Sequence, residues 1–470
     1  MAVGSEAVIL PLAGPSGDIL DGQGSVAIPA FHDAHCHFLS YARARSWVDC
    51  RGTRSIAAIT RMLAEAVRAQ PPGAWIRAYG YDDEALADRR HPDRRDLDAA
   101  APDRPVRLQH RTLHLDVLNS VAIRTLGLAE STDSRVERAG PAGEMTGRIY
   151  SGGDLLHRNS PRPAAADLAR DVRQASGRLL QRGITSVQDA SVTNGVEEWE
   201  LFHRLADAGD LRVRLFMMWG AAHWRQRATA RPESALVRHG PVKFMLNERT
   251  TDAAELRAAV TSAASAGYPV AIHAVSEAEV AIALDSLRAA PRSPLGPHRI
   301  EHGSVIADEW LAELRCLGIT IVGQPALVHD RGDGYLRKYP PEMHGWLHRA
   351  RSLTDAGIDY AAGSDAPVTE PDPATAVFAL RTRATRDGRI LGPAEVLNLE
   401  STLAACSLQP AKAAGVGAEL GTLRPGSHAD IALVDGDFVD ESETVPAFDS
   451  VRATIMNGRV VWQRAESAGE

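Results

Sequence analysis

Cysteine is scarce: Cys36, Cys50, Cys316 and Cys406 are scattered along 470 positions with no CxxC pair. That spacing excludes a zinc ribbon, argues against a disulfide framework and points to a reducing compartment. Long apolar runs are lacking as well. None approaches the ~18 residues that span a bilayer, and the N-terminus has neither the basic start nor the apolar core of a secretory signal. No Lys/Arg-rich run stands out, and 52 basic against 60 acidic residues leave a net charge of −8, so there is no footprint for nucleic acid. Internal repeats and low-complexity tracts are also missing. The expectation is a soluble, cytoplasmic protein with no membrane or nucleic-acid partner. Its 44% hydrophobic content supplies a substantial core, and its length suits one large barrel with a satellite.

What is present centres on Phe31-His-Asp-Ala-His-Cys-His37. It follows Ser25-Val-Ala-Ile-Pro29, a short apolar run that reads as a buried strand. Side chains alternate faces along a strand, so His35 and His37 project to one side. Two imidazoles so placed can grip one divalent ion, with zinc preferred by ligand type and iron, nickel or cobalt open. Among 17 histidines some pairs fall at this spacing by chance, so the pair needs support from the rest of the chain.

That support comes in order. Val8-Ile-Leu10 reads as an edge strand, 55–70 as a helix, 74–81 and 105–110 as strands, His114 to Leu126 as a helix, and 129–147 as a polar, Gly-rich loop. From about residue 164 helices and strands alternate regularly. Apolar strand cores occur at 183–189, 211–218, 241–246, 269–274, 298–303, 319–325 and 359–365, with helical patterns between most of them. With the HxH strand they make eight. Alternation of this kind implies parallel pairing, and eight units close a (β/α)8 TIM-like barrel. Beyond it, 401–414 reads as a helix and 421–435 and 453–462 as strands, the latter folded at Asn457-Gly458. The N-terminal segment is the unassigned partner for those strands.

Active sites of such barrels lie at the C-terminal strand ends. Those ends carry His35 and His37 on the first strand, Lys243 on the fourth (near its start by these boundaries), His273 on the fifth, His302 on the sixth and Asp365 on the eighth. Tyr81 and Gln324, also near strand ends, are candidates to line a substrate pocket. Imidazoles and a carboxylate at successive strand ends are far more specific than HxH alone.

These residues sit in segments that resemble the amidohydrolase superfamily of metal-dependent hydrolases, and within it the branch called amidohydrolase family 3. Ile28-Pro-Ala-Phe-His-Asp-Ala-His-Cys-His37 resembles "PGFxDxHxH", with Ala30 where Gly is usual. Leu113-His-Leu-Asp-Val-Leu-Asn-Ser120 is similar to "GHxxxxNS", Val242-Lys243 to "VK…DG" (with Asn247-Glu248 for Asp-Gly), and Ala271-Ile-His273 to "IHAxGD". Arg299-Ile-Glu-His302, Gly363-Ser-Asp-Ala-Pro367 with Asp372-Pro373, and Gly421 to Asp430 resemble "RIEH", "GSDxP…DP" and "GxLxxGxxAD".

The resemblance implies a small β-sandwich from both termini (1–28 plus 415–470), a barrel over 29–414, and an insert between barrel strands one and two, at about 70–160, roofing the pocket. It implies that His35 and His37 bind one ion and His273 and His302 a second. Lys243, carboxylated by CO2, would bridge them, and Asp365 would touch metal and take a proton from the attacking water. A lysine ammonium cannot bind a cation, whereas its carbamate can. Metal coordination lowers the pKa of water from about 15.7 toward 7, which yields a nucleophilic hydroxide at neutral pH. His114 is a candidate to stabilise the developing oxyanion. Glu248 is an alternative carboxylate should Lys243 be an ordinary lysine. The expected activity is hydrolysis of a C–N bond in a small molecule: an amide, N-formyl or cyclic amide. The alternatives are a mononuclear deaminase or an ester or lactone hydrolase, and then a non-catalytic binding barrel. Relatives add an expectation of a homodimer or larger assembly.

Overall fold

In the computed structural model, residues 6–13, 19–139, 141, 143–150, 152–153, 155–156, 164–248, 251–436 and 450–465 are described. Eight short runs form one sheet in chain order: Phe31–Cys36, Ile184–Asp189, Arg214–Gly220, Val237–Met245, Val270–Ala274, Arg299–His302, Thr320–Gly323 and Tyr360–Ala362. Every pairing in it is parallel. Almost all residues of these strands are buried, polar ones included: Gln188, Arg299 and Glu301 lie inside and are hydrogen-bonded through the Arg299 guanidinium. The first and last strands meet just past their ends. The His37 N–H donates to Ala366 O at 2.8 Å and the Asp365 N–H to His35 O at 2.7 Å, closing the barrel. Gly363 permits this approach, because a Cβ there would lie 2.7 Å from the His35 backbone nitrogen. Lys243 stands two residues from the C-terminal end of its strand, not near the start, because the strand begins at Val237.

The terminal strands form a four-stranded antiparallel sheet. Val26–Pro29 pairs with Ile431–Val434, which pairs with Val451–Met456, which folds back on Arg459–Gln463. Asn457 and Gly458 at that turn have φ of +50° and +75°, the left-handed pair a tight two-residue hairpin requires. The N-terminal segment is thus the missing partner.

Two expectations outside the barrel strands are corrected. Val8-Ile-Leu10 lies within the helix Glu6–Ala13, since a three-residue apolar run has too short a period to separate helix from strand. The helix expected over 401–414 is two helices, Leu399–Cys406 and Leu408–Ala413. In one continuous helix Pro410 would lack its N–H and clash with the Cys406 carbonyl. The break at Ser407 moves it into a first turn, where proline is tolerated.

The chain divides into two compact units, Met1–Phe38 with Arg173–Glu470, and Leu39–Val172. The second is built on a six-stranded sheet in the order Val48–Asp49, Ile76–Tyr81, Val106–His110, Leu115–Leu118, Glu144–Tyr150, Val136–Ala139. Here too the sequence reading is corrected. His114 to Leu126 is not one helix but the strand Leu115–Leu118 followed by the helix Ser120–Thr125, capped by the Asn119 side chain. Buried Asp116 pairs with Arg107 on the neighbouring strand at 2.8 Å, a cross-strand match that a helical window does not register. The 129–147 segment read as loop contributes strands Val136–Ala139 and the start of Glu144–Tyr150. Among the described residues no helix is long and apolar enough to cross a membrane, and all four cysteines are free.

Candidate metal centre

Closure of the barrel brings three side chains to a point. His37 Nε2 lies 3.2 Å and His35 Nε2 3.5 Å from the same oxygen, Asp365 Oδ1. Ligands held ~2.0–2.1 Å from a tetrahedral ion stand about 3.4 Å apart, so this spacing suits one divalent metal. Both imidazoles have their other nitrogen occupied. His35 Nδ1 faces Glu301 Oε2, and His37 Nδ1 faces Ser191 Oγ at 3.2 Å. A carboxylate only accepts, so the proton of His35 sits on Nδ1 and its Nε2 lone pair is free to coordinate.

A second imidazole pair adjoins the first. The His302 ring centroid is 4.9 Å from that of His35 and 4.5 Å from that of His273. Gln324 Oε1 lies 2.8 Å from His302 Nδ1, and its amide nitrogen donates to Val322 O at 3.2 Å, which fixes the amide's orientation. Gln324 is wholly buried; it positions His302. His302 and Asp365 both have left-handed backbones, with φ of +74° and +57°. Such conformations are uncommon outside glycine and are held by their surroundings, typically at functional sites.

Electrostatics suit a cation. Burial, followed by the charge of Lys243, lowers the His35 pKa to about 3 against the pull of Glu301, so its imidazole is neutral, the ligand form. Burial alone would raise Asp365; the hydrogen bond from His37, then His302 and His35, hold it well below the usual carboxylate range. Lys243 is 1% exposed and its Nζ has no hydrogen-bond partner among the described residues. Burial lowers its pKa to about 8, with Glu301 opposing and Arg299 adding. An orphaned buried amine is costly, and its conversion to a carbamate would give it a use as an oxygen donor. The donor set thus fits a divalent metal.

The supporting carboxylates escaped the sequence reading. Glu301 is fully buried and gripped by Arg299, whose Nη2 also donates to Ala34 O at 2.6 Å. Asp33 accepts from the Ser364 N–H at 2.9 Å, the Ser364 hydroxyl at 2.6 Å and the His35 N–H at 3.1 Å, tying first strand to last. The available signal was alternation: Arg299 and Glu301 share a strand face, as do Asp33 and His35.

Three further candidates are described by their own surroundings. Tyr81 is fully buried, with its hydroxyl 3.2 Å from His91 Nδ1, and His114 is exposed in the turn before Leu115–Leu118; both belong to the Leu39–Val172 unit. Glu248 is exposed and accepts from the Ser276 hydroxyl at 2.6 Å.

A family model described as "Amidohydrolase family" matches residues 18–462. The N-substituted formamide deformylase of Arthrobacter pascens is 28% identical, with 99% of this chain and 93% of that one covered. The protein LONG AFTER FAR-RED 3 of Arabidopsis thaliana is 25% identical, with 98% and 86% covered. The crystal structure of an uncharacterized metal-dependent hydrolase from Pyrococcus horikoshii has a TM-score of 0.74 at 22% identity, over 93% of this chain and 91% of that one, a likeness of fold.

Proposed function

The chain belongs to the amidohydrolase family, and from that premise we propose a metal-dependent hydrolase of C–N bonds whose substrates are N-substituted formamides. The observation that carries the chemistry is the convergence of His35 Nε2, His37 Nε2 and Asp365 Oδ1 at the mouth of the closed barrel. The formyl substrate class is taken from the similarity to the deformylase, which extends over nearly the full length of both chains.

In this reading His35 and His37 would hold one ion, His273 and His302 would hold another, and Lys243, as its carbamate, would supply oxygen ligands. Nitrogen ligands favour zinc. A bound divalent metal supplies Lewis-acid polarisation of the formyl oxygen and acidifies water. The chain's residues do the rest. Glu301, Ser191 and Gln324 hold the His35, His37 and His302 rings. Asp365, anionic at neutral pH, accepts a proton from the attacking water and returns it to the leaving amine nitrogen. The formyl C–N bond breaks, a C–O bond forms, and formate and an amine leave. Carboxylation of Lys243 forms one N–C bond to CO2 and releases one proton.

The test is the metal content per chain of untagged protein in excess of that of a variant with His35, His37, His273 and His302 replaced by Gln, followed by formate release from a panel of N-substituted formamides. Near two ions with formate release supports the reading. Near one ion removes the Lys243 carbamate from it and favours a mononuclear deaminase. A metal-loaded protein that releases no formate removes the formamide substrate.

A further inference from the structure

We propose that the Leu39–Val172 unit carries a divalent-metal site of its own, formed by Asp83, His91 and His110. All three residues belong to that unit, so the proposal does not rest on the barrel ligands. One ligand atom from each lies within 4.8 Å of the others. His110 Nε2 is 3.0 Å from Asp83 Oδ1, and His91 Nε2 is 3.6 Å from Asp83 Oδ2. Each imidazole thus faces its own oxygen of the one carboxylate, at separations near the ~3.4 Å between neighbouring ligands of a tetrahedral ion.

The two imidazoles are prepared in the same way. Each turns Nε2 toward the shared carboxylate and Nδ1 toward a hydroxyl. Tyr81 OH lies 3.2 Å from His91 Nδ1, and Thr112 Oγ1 lies 2.8 Å from His110 Nδ1. Such partners fix ring orientation and leave the second nitrogen for a metal. The rings stand at 84° with centroids 5.5 Å apart, so they approach the carboxylate from different directions.

The fold assembles this set from three segments. Tyr81 and His110 pair at the ends of parallel strands Ile76–Tyr81 and Val106–His110, and Asp83 follows two residues after Tyr81. His91 comes from the segment before the helix Arg94–Ala100, where Arg148 binds the carbonyls of His91 and Pro92, both at 3.0 Å. The His110 side chain is 8% exposed, and those of His91 and Asp83 are 26% and 30% exposed, so an ion can enter from solvent.

Two imidazoles and one carboxylate, with no thiolate, select zinc or a similar transition metal over calcium or magnesium. The bound ion would staple the 82–91 segment to the strand ends. The Thr112 N–H points at His110 Nδ1 at 3.3 Å, which places the His110 proton on Nε2, facing Asp83. An ion held at Nε2 would take the place of that proton, which would leave or move to Nδ1, where Thr112 Oγ1 can accept it and the Thr112 N–H contact is given up.

The test uses the full chain, stripped with chelator and re-equilibrated in buffered free zinc. Wild type is expected to hold one ion per chain more than His91→Gln or His110→Gln, and His35→Gln/His37→Gln is expected to keep that ion. Equal zinc in wild type and both variants overturns the proposal. Should a variant fail to fold, anomalous diffraction from zinc-soaked wild-type crystals decides. A peak among Asp83, His91 and His110 supports the site; no peak at saturating zinc leaves a hydrogen-bonded triad and overturns it.

Discussion

Glu301 Oε2 faces His35 Nδ1, and this contact determines which nitrogen of His35 points at Asp365. Glu301 is itself held by Arg299, so a buried ion pair stands directly behind His35, the first proposed metal ligand. Burial would raise the Glu301 pKa, but Arg299 and then His35 hold it well below the carboxylate range, so it is an anion throughout the working pH range.

Glu301→Gln keeps the shape and removes the charge. Metal affinity is expected to fall by about 10–100-fold, the usual cost of losing a partner behind a metal-bound histidine. The uncompensated Arg299 charge adds a stability loss of roughly 3–5 kcal/mol. Competition with a chromophoric chelator, alongside denaturant unfolding, reads both. Unchanged affinity would remove Glu301 from the metal centre.

Asp365→Asn tests the proton role without disturbing the backbone, because asparagine tolerates the left-handed conformation at φ +57°. At saturating metal, kcat is expected to drop by about 10²–10⁴-fold. A variant with wild-type kcat would mean that another group moves the proton.

Lys243 gives a pH signature. Its folded pKa of about 8 lies below the ordinary 10.5, so the folded state resists protonating it. The resulting penalty is absent above about 10.5, grows as pH falls, and is complete below about 8. It amounts to about 3 kcal/mol. Metal-free Lys243→Met is therefore expected to exceed wild type in stability by up to that amount near pH 7, the margin closing toward pH 10. Reconstitution of wild type at fixed dissolved CO2 should quicken as pH rises through about 8, because only the neutral amine reacts. Denaturant melts and metal-uptake rates across pH report these effects; a flat profile in both refutes the lysine chemistry.

Gly363→Ala presses a methyl group against His35, 2.7 Å from both its backbone nitrogen and its Cβ. The neighbour to be displaced is backbone, so the expected cost is about 1–3 kcal/mol. His35 should shift with it, weakening metal binding. Calorimetry of the metal-free variant and a metal titration measure the two effects, and wild-type values in both would show that the strands separate without consequence.

Much of the barrel was legible because its signals are local. Apolar β-branched runs bounded by helical periods mark the eight strands, and Asn457-Gly458 marks its hairpin by turn chemistry alone. The order of His35, His37, Lys243, His273, His302 and Asp365 along successive strand ends can likewise be read from sequence. What the sequence does not carry is contact between distant residues. Leu115 to Leu118 is a strand because Arg107 and the neighbouring strands accept it there, against its helical spacing. The helix after Asn398 breaks at Ser407 because Pro410 cannot sit mid-helix, a rule available from sequence but overridden there by the apolar period. That Gln324 meets His302 Nδ1 is likewise invisible in the sequence. The Glu301–His35 contact joins residues 266 positions apart. Such placements arise when barrel closure buries polar groups from distant strands together and each must find its partners there, so tertiary structure decided them.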